Sequence, residues 1–245
     1  MRFISLLVAS TMAAAPALAE DVSYSVDGEA FTGYWAKAEN PKGLVLIIHD
    51  WDGMTDYERQ RADMLAEMGY DAFALDMFGS KTPTETMDHR IAATGALYED
   101  RDRMKALVQA GLEQAQSRSG TDELVVTGYC FGGAVALEMA RSDMSDTASG
   151  YVTFHGGLAT PEGQSWGGDE PPVLVLHGGA DTSITMQDVA TFATELEAAG
   201  TTYTLEVYSG APHAFTVFGS NRYQERADAA SWEAFSNFLN ERVSG

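Results

Sequence analysis

Short apolar runs rich in β-branched residues alternate along the chain with longer amphipathic stretches. The runs fall at Leu44 to Ile48, Tyr70 to Leu75, Glu123 to Tyr129, Tyr151 to Phe154, Val173 to Leu176 and Tyr203 to Tyr208. Near-continuous hydrophobicity over five or six residues is what a strand covered on both faces requires. Between these runs the apolar period lengthens to that of helices. Thr55 with Glu58 forms a capping box for one helix, which Gly69 closes, and Met186, Val189, Phe192 and Leu196 line a face of another that ends at Gly200. A last amphipathic helix carries Trp232, Phe235, Phe238 and Leu239, and Ala134 to Ala140 reads as helix too. In the long stretch from Gly79 to Arg118 the pattern predicts a helix from Glu99 onward, with the first half left as the rim of a pocket. Val22 to Val26 and Ala30 to Trp35, joined by Asp27-Gly28, read as a hairpin. The prediction is an α/β fold: a mostly parallel central sheet with helices on both faces and an N-terminal β-hairpin at one edge.

The first nineteen residues break this pattern. Met1-Arg2-Phe3 leads into an apolar stretch from Ile4 to Ala15 and then Pro16-Ala-Leu-Ala19 before Glu20 and Asp21. A positive start, an apolar core too short for a bilayer and a small-residue end make a secretory signal peptide over 1–19, with export to the periplasm or medium as the expectation. Residues 20–245 then form a single domain of 226 residues, within the size range of one large core.

Charge narrows the range of partners. The chain has 15 basic and 36 acidic residues for a net charge of −21, which becomes −22 once Arg2 leaves with the leader. Nucleic acid is excluded as a partner, since phosphates need Lys and Arg, and so is an anionic membrane after signal cleavage. A small-molecule substrate and a monomer are expected. Cys130 is the only cysteine of the sequence, so an exported chain has no internal disulfide and one leftover thiol to explain.

That thiol occupies a telling position. Gly128-Tyr-Cys130-Phe-Gly132-Gly133 directly follows the strand ending near Tyr129 and precedes the helix at Ala134. This is the nucleophile-elbow pattern of the α/β-hydrolase fold with Cys in place of Ser, the glycines relieving a crowded turn. A free thiol is only slightly ionised at neutral pH, so it needs a base and a group to orient that base. The strand from Pro172 runs into His177-Gly-Gly-Ala-Asp181, and the next runs into Ser209-Gly-Ala-Pro-His213. Both loops lie at the C-terminal ends of strands, where catalytic groups of open α/β sheets gather, and the order nucleophile, acid, histidine fits the fold. Cys130, His213 and Asp181 are therefore the candidate catalytic residues. The loop His49-Asp50-Trp51 follows the first central strand, and the backbone N–H groups of Trp51 and Phe131 are the candidate oxyanion donors. Lys81, His155 and Phe215 are the candidates for substrate contact. His177 reads as a structural hydrogen-bonding residue and His89 as solvated. No metal is expected, because the histidines lack ligand spacing.

Together these segments resemble the dienelactone hydrolase family. The resemblance is carried by Val45-Leu-Ile-Ile-His49-Asp50-Trp51, Ala74-Leu-Asp-Met-Phe78, Gly128-Tyr-Cys-Phe-Gly-Gly133, Phe154-His-Gly-Gly157, Val175-Leu-His-Gly-Gly-Ala-Asp181 and His213-Ala-Phe215. It implies hydrolysis of carboxylic esters or lactones through a Cys-His-Asp triad and a thioester, with no cofactor. It also implies a glutamate beside the oxyanion loop that holds the resting thiol. Here the position is Asp50, one methylene shorter, which makes Asp50 the candidate modulator of the thiol. The family's two arginines that grip a substrate carboxylate fall at Ser80, followed by Lys81, and at Val217, so neutral substrates are expected. The other reading is a non-catalytic exported binding protein on the same scaffold. A thiol redox role lacks any resolving cysteine.

Overall fold

The computed structural model describes residues 18–243. The expected leader over 1–19 lies outside them, apart from Leu18 and Ala19, which begin the first strand and pair with Lys37 and Ala36. Eight strands form one sheet: β1 (Leu18–Val26), β2 (Glu29–Lys37), β3 (Leu44–Ile48), β4 (Asp71–Leu75), β5 (Leu124–Tyr129), β6 (Gly150–Phe154), β7 (Val173–Gly178) and β8 (Tyr203–Tyr208). Their spatial order is β1-β2-β4-β3-β5-β6-β7-β8. The β1–β2 hairpin joins β4 antiparallel and every later pairing is parallel. The α/β expectation, with a hairpin at one edge, describes this sheet.

Alternate side chains of each strand serve opposite faces. Leu44, Leu46 and Ile48 of β3 pack with α3 (Arg101–Gln116), α4 (Phe131–Ala140) and α5 (Met186–Ala199). Val45 and Ile47 pack on the other face with α1 (Asp56–Glu67) and α6 (Glu225–Arg242). The Thr55 hydroxyl accepts the Tyr57 N–H while Glu58 reaches back to the Thr55 N–H, and Gly69 at φ 91° follows the end of α1. No described helix is long and apolar enough to cross a membrane.

One expectation is corrected. The stretch before Glu99 is helical as well: α2 (Met87–Glu99) starts at Thr86, whose side chain accepts the His89 N–H at 3.2 Å. Asp100 ends α2 and caps α3. Only Ala93 and Leu97 of α2 are buried, so its sequence has no apolar stripe to advertise a helix.

A buried cation ties α1 to α6. Arg61 of α1 lies in a cage of Tyr57, Phe218 and Trp232, with its guanidinium 4.2 Å from the Phe218 ring centroid and 4.8 Å from that of Trp232. It forms an ion pair with Asp228 of α6 and donates to the Thr216 carbonyl at 3.0 Å. Thr216 is three residues beyond His213.

Candidate active site

The sharp turn between β5 and α4 puts Cys130 at φ 49°, ψ −108°, a conformation that side-chain-bearing residues adopt only under strain. The turn closes because its neighbours are glycines. A Cβ on Gly128 would run into the Gly132 carbonyl, and a Cβ on Gly132 into the carbonyl of Ile48. With Cys130 N–H donating to the Phe154 carbonyl at 3.0 Å and Gly132 N–H to that of His49 at 3.1 Å, the elbow is tied to the strands on either side.

The loops after β7 and β8 converge on this point. His213 Nε2 lies 3.1 Å from Cys130 Sγ, and its Nδ1 lies 2.7 Å from Asp181 Oδ2. The other oxygen of Asp181 accepts the N–H groups of Ser183 and Ile184 at 2.8 and 3.0 Å. Burial pushes the Asp181 carboxyl up, but the bonds from His213, Ile184 and Ser183 outweigh it, and the group lies below the usual carboxylate range. Burial pushes the Cys130 thiol well above its ordinary value, and Asp50 pushes it further, against the pull of the Phe131 N–H. Burial and the neighbouring Asp52 raise Asp50 itself to about 6.

These groups open into a cavity of about 640 Å³. Asp50, Trp51, Tyr98, Cys130, Phe131 and His213 line it, as do Arg90, Val217 and Arg222. The expected oxyanion donors flank it, with one qualification. The Trp51 N–H already donates to Asp50 Oδ1 at 2.5 Å. The aspartate side chain thus folds onto the next peptide.

The three expected substrate contacts are not in the cavity, which corrects that assignment. Lys81 is exposed outside it. His155 and Phe215 are buried beneath it: His155 Nε2 is 2.9 Å from Thr216 Oγ1 and its ring stands edge-on to that of His213 at 5.3 Å. Phe215 packs in the core with Tyr208 and Phe235. His177 bonds the Ile184 carbonyl at 3.1 Å, a structural role as expected. Sequence reasoning passed over Arg90, Thr94 and Tyr98 of α2, and treated Glu58 only as a helix cap. Glu58 also accepts the Asp50 N–H at 3.4 Å, and burial raises it to about 7. The Arg90 guanidinium lies 5.7 Å from the Trp51 ring and only 3.9 Å from Asp52, and among the described residues Arg222 has no acidic partner. The spacing of Arg90, Thr94 and Tyr98, at helical intervals, was the available signal once α2 was known to be a helix.

A mostly parallel sheet with a cysteine on a strand–turn–helix elbow after β5, and a carboxylate and an imidazole on the loops after β7 and β8, has the architecture of an α/β-hydrolase. The sequence model described as "Dienelactone hydrolase family" matches residues 31–243, and the chain belongs to that family. It is similar to a "Putative carboxymethylenebutenolidase" of Saccharolobus solfataricus, 24% identical with 92% of this chain and 99% of that one covered. It is also similar to a "Probable 2-oxo-3-(5-oxofuran-2-ylidene)propanoate lactonase" of a Bradyrhizobium species, 25% identical over 91% and 94%. Among solved structures, a dienelactone hydrolase-like promiscuous phosphotriesterase from metagenomic libraries superposes with a TM-score of 0.83 at 26% identity, covering 94% and 100% of the two chains. The protein is a carboxylic ester or lactone hydrolase of this family.

Proposed function

We propose that Cys130 is the nucleophile of this hydrolase, His213 its base and Asp181 the group that orients the base. The observation that carries the reading is the unbroken chain from Sγ through Nε2 and Nδ1 to Oδ2, with Cys130 and His213 lining an open cavity. Because burial and Asp50 keep the thiol protonated, Sγ attacks the ester carbonyl as its proton passes to His213. His213 then returns that proton to the departing alkoxide. Asp181 holds Nδ1–H and stabilises the imidazolium between these steps. Water, activated by the same histidine, hydrolyses the thioester. The test is turnover of short p-nitrophenyl esters and simple lactones by the purified protein beside its Cys130→Ala variant; a wild type that cleaves none of them rejects the reading. Residues 1–19 are proposed as an export leader, checked by whether the periplasmic form begins at Glu20.

The oxyanion in this reading takes the Phe131 N–H and, once Asp50 releases it, the Trp51 N–H. Asp50 thereby both suppresses the thiolate and occupies a donor that the transition state needs. Replacing Asp50 by asparagine removes the negative charge that disfavours ionisation of Cys130, so the thiol's pKa falls. Alkylation by iodoacetamide at pH 7 is expected to quicken by about three- to tenfold for each unit of that fall, the lower figure allowing for the weaker nucleophilicity of a less basic thiolate, with the whole rate profile displaced to lower pH. An unchanged profile would show that the shorter acid does not govern the thiol.

Substrate charge is set by residues other than the two positions that resemblance pointed to. Ser80 and Val217 carry no cation, yet Arg90 and Arg222 reach the cavity from α2 and from the loop before α6. Arg222, free of an acidic partner among the described residues, is the group proposed to bind a substrate carboxylate. A charge-assisted contact of this kind is worth about 1.5–3 kcal/mol. Arg222→Ala is therefore expected to lower kcat/KM for a carboxylate-bearing ester by roughly ten- to a hundredfold. A neutral ester with the same leaving group should change by less than about threefold, since it lacks the charged contact. Equal losses on both substrates would remove Arg222 from charge recognition.

A further inference from the structure

Tyr98 has no part in the chemistry just described, although it lines the same cavity as Cys130. It stands near the C-terminal end of α2, one helical turn beyond Thr94 and two beyond Arg90, which also line the cavity. Its ring is held from two sides: edge-on to the Phe131 ring at 5.5 Å, with the Arg101 guanidinium 5.8 Å from its centroid. Phe131 is the residue whose backbone N–H the proposed mechanism assigns to the oxyanion. Among the described residues, the Tyr98 hydroxyl has no hydrogen-bond partner. The residue is 38% exposed, so this O–H is open to solvent and able to turn to a ligand oxygen at the edge of the cavity. Meanwhile one of the two backbone donors, Trp51 N–H, is engaged by Asp50 at rest.

Building on the hydrolase reading, we infer that the Tyr98 hydroxyl is a third oxyanion donor, meeting the acyl oxygen of the bound ester together with the Phe131 N–H. As the S–C bond forms, the carbonyl π pair moves to oxygen and the thiol proton goes to His213. Tyr98 strengthens its hydrogen bond to that oxygen and keeps its own proton. When the C–O bond to the leaving alcohol breaks, the pair returns and the alkoxide takes the proton from His213. A phenol is protonated at neutral pH, and partial burial, with Cys130 adding to it, raises Tyr98 further, so the donor keeps its proton there. A donor aimed at the oxyanion acts on the transition state more than on the ground state, so its loss falls on kcat.

The test uses the whole protein and Tyr98→Phe, which preserves the ring against Phe131 and deletes only the O–H. With p-nitrophenyl acetate, kcat is expected to drop by about ten- to a hundredfold while KM stays within about threefold. Alkylation of Cys130 by iodoacetamide, which develops no oxyanion, should keep its rate and its pH profile. A fall in kcat below threefold, a loss confined to KM, or an equal loss in alkylation each overturns the assignment while leaving the hydrolase reading standing. A wild type that cleaves no ester overturns both. Tyr98→Phe protein that fails to fold is replaced by Tyr98→His, whose ring can donate; rescue of kcat by His over Ala supports the donor role, and equality of the two rejects it.

Discussion

Replacing Cys130 by alanine is expected to lower kcat/KM for short esters by at least about 10³-fold, and His213→Ala to cost nearly as much. The magnitude follows from geometry. With the thiol pushed well above its ordinary pKa, unassisted ionisation supplies almost no nucleophile, and the imidazole 3.1 Å away is the acceptor within reach. Removing either group therefore stops the same step. The double variant should lose little beyond the single ones, because groups that act as a unit are non-additive. Asp181→Asn is expected to lose somewhat less: asparagine retains the volume but can present an amide to Nδ1, favouring the wrong tautomer. Steady-state kinetics on all four variants decide the matter. Retention of more than about a hundredth of the activity by Cys130→Ala rejects covalent catalysis, and multiplying losses in the double variant reject a shared unit.

The second large effect concerns stability rather than chemistry. Asp228→Ala leaves the Arg61 guanidinium, whose side chain is 1% exposed, without a counter-charge inside its aromatic cage. Burial pushes the Asp228 carboxyl up, with Arg61 and then the Tyr223 hydroxyl pulling the other way, so the pair carries a desolvation cost that its mutual contact helps to offset. Breaking such a pair from one side costs about 3–5 kcal/mol, and for a protein of this size about 2–4 °C of Tm accompanies each kcal/mol. A drop of roughly 6–20 °C in a calorimetric or fluorescence melt is therefore expected. Replacing both partners together, as in Arg61→Met with Asp228→Leu, should recover most of the loss, since the buried charge is then gone. A single variant that melts within about 2 °C of wild type would mean that Arg61 reaches water or finds another acid. The same experiment probes the site, for Arg61 holds the carbonyl of Thr216, and Thr216 Oγ1 holds His155 beneath the His213 ring. Activity per folded molecule should fall in the single variants even where folding is restored by lower temperature.

Local chemistry determined much of this in the sequence alone. The apolar runs from Leu44, Leu124 and Val173 are strands because every position faces a packed layer, whereas the run from Tyr203 is an edge strand that buries only Tyr208. Thr55 and Glu58 cap a helix wherever they stand three apart, and the glycines around Cys130 permit an elbow by the absence of a Cβ. The loop positions of Asp181 and His213 followed from the strands before them, so the candidate triad was legible before any coordinate. What the tertiary structure decided was which side chains share a space. α2 was hidden because its sparse burial leaves no apolar stripe, and with it Arg90 and Tyr98 were hidden too. Lys81, His155 and Phe215, near the right motifs in the chain, lie outside the cavity or beneath it. Arg61 finds Asp228 across 167 residues. Asp50 bends to its own neighbouring amide. Each of these depends on how helices dock and on which rotamer the surroundings permit, and such contacts join residues that no periodicity or spacing along the chain relates.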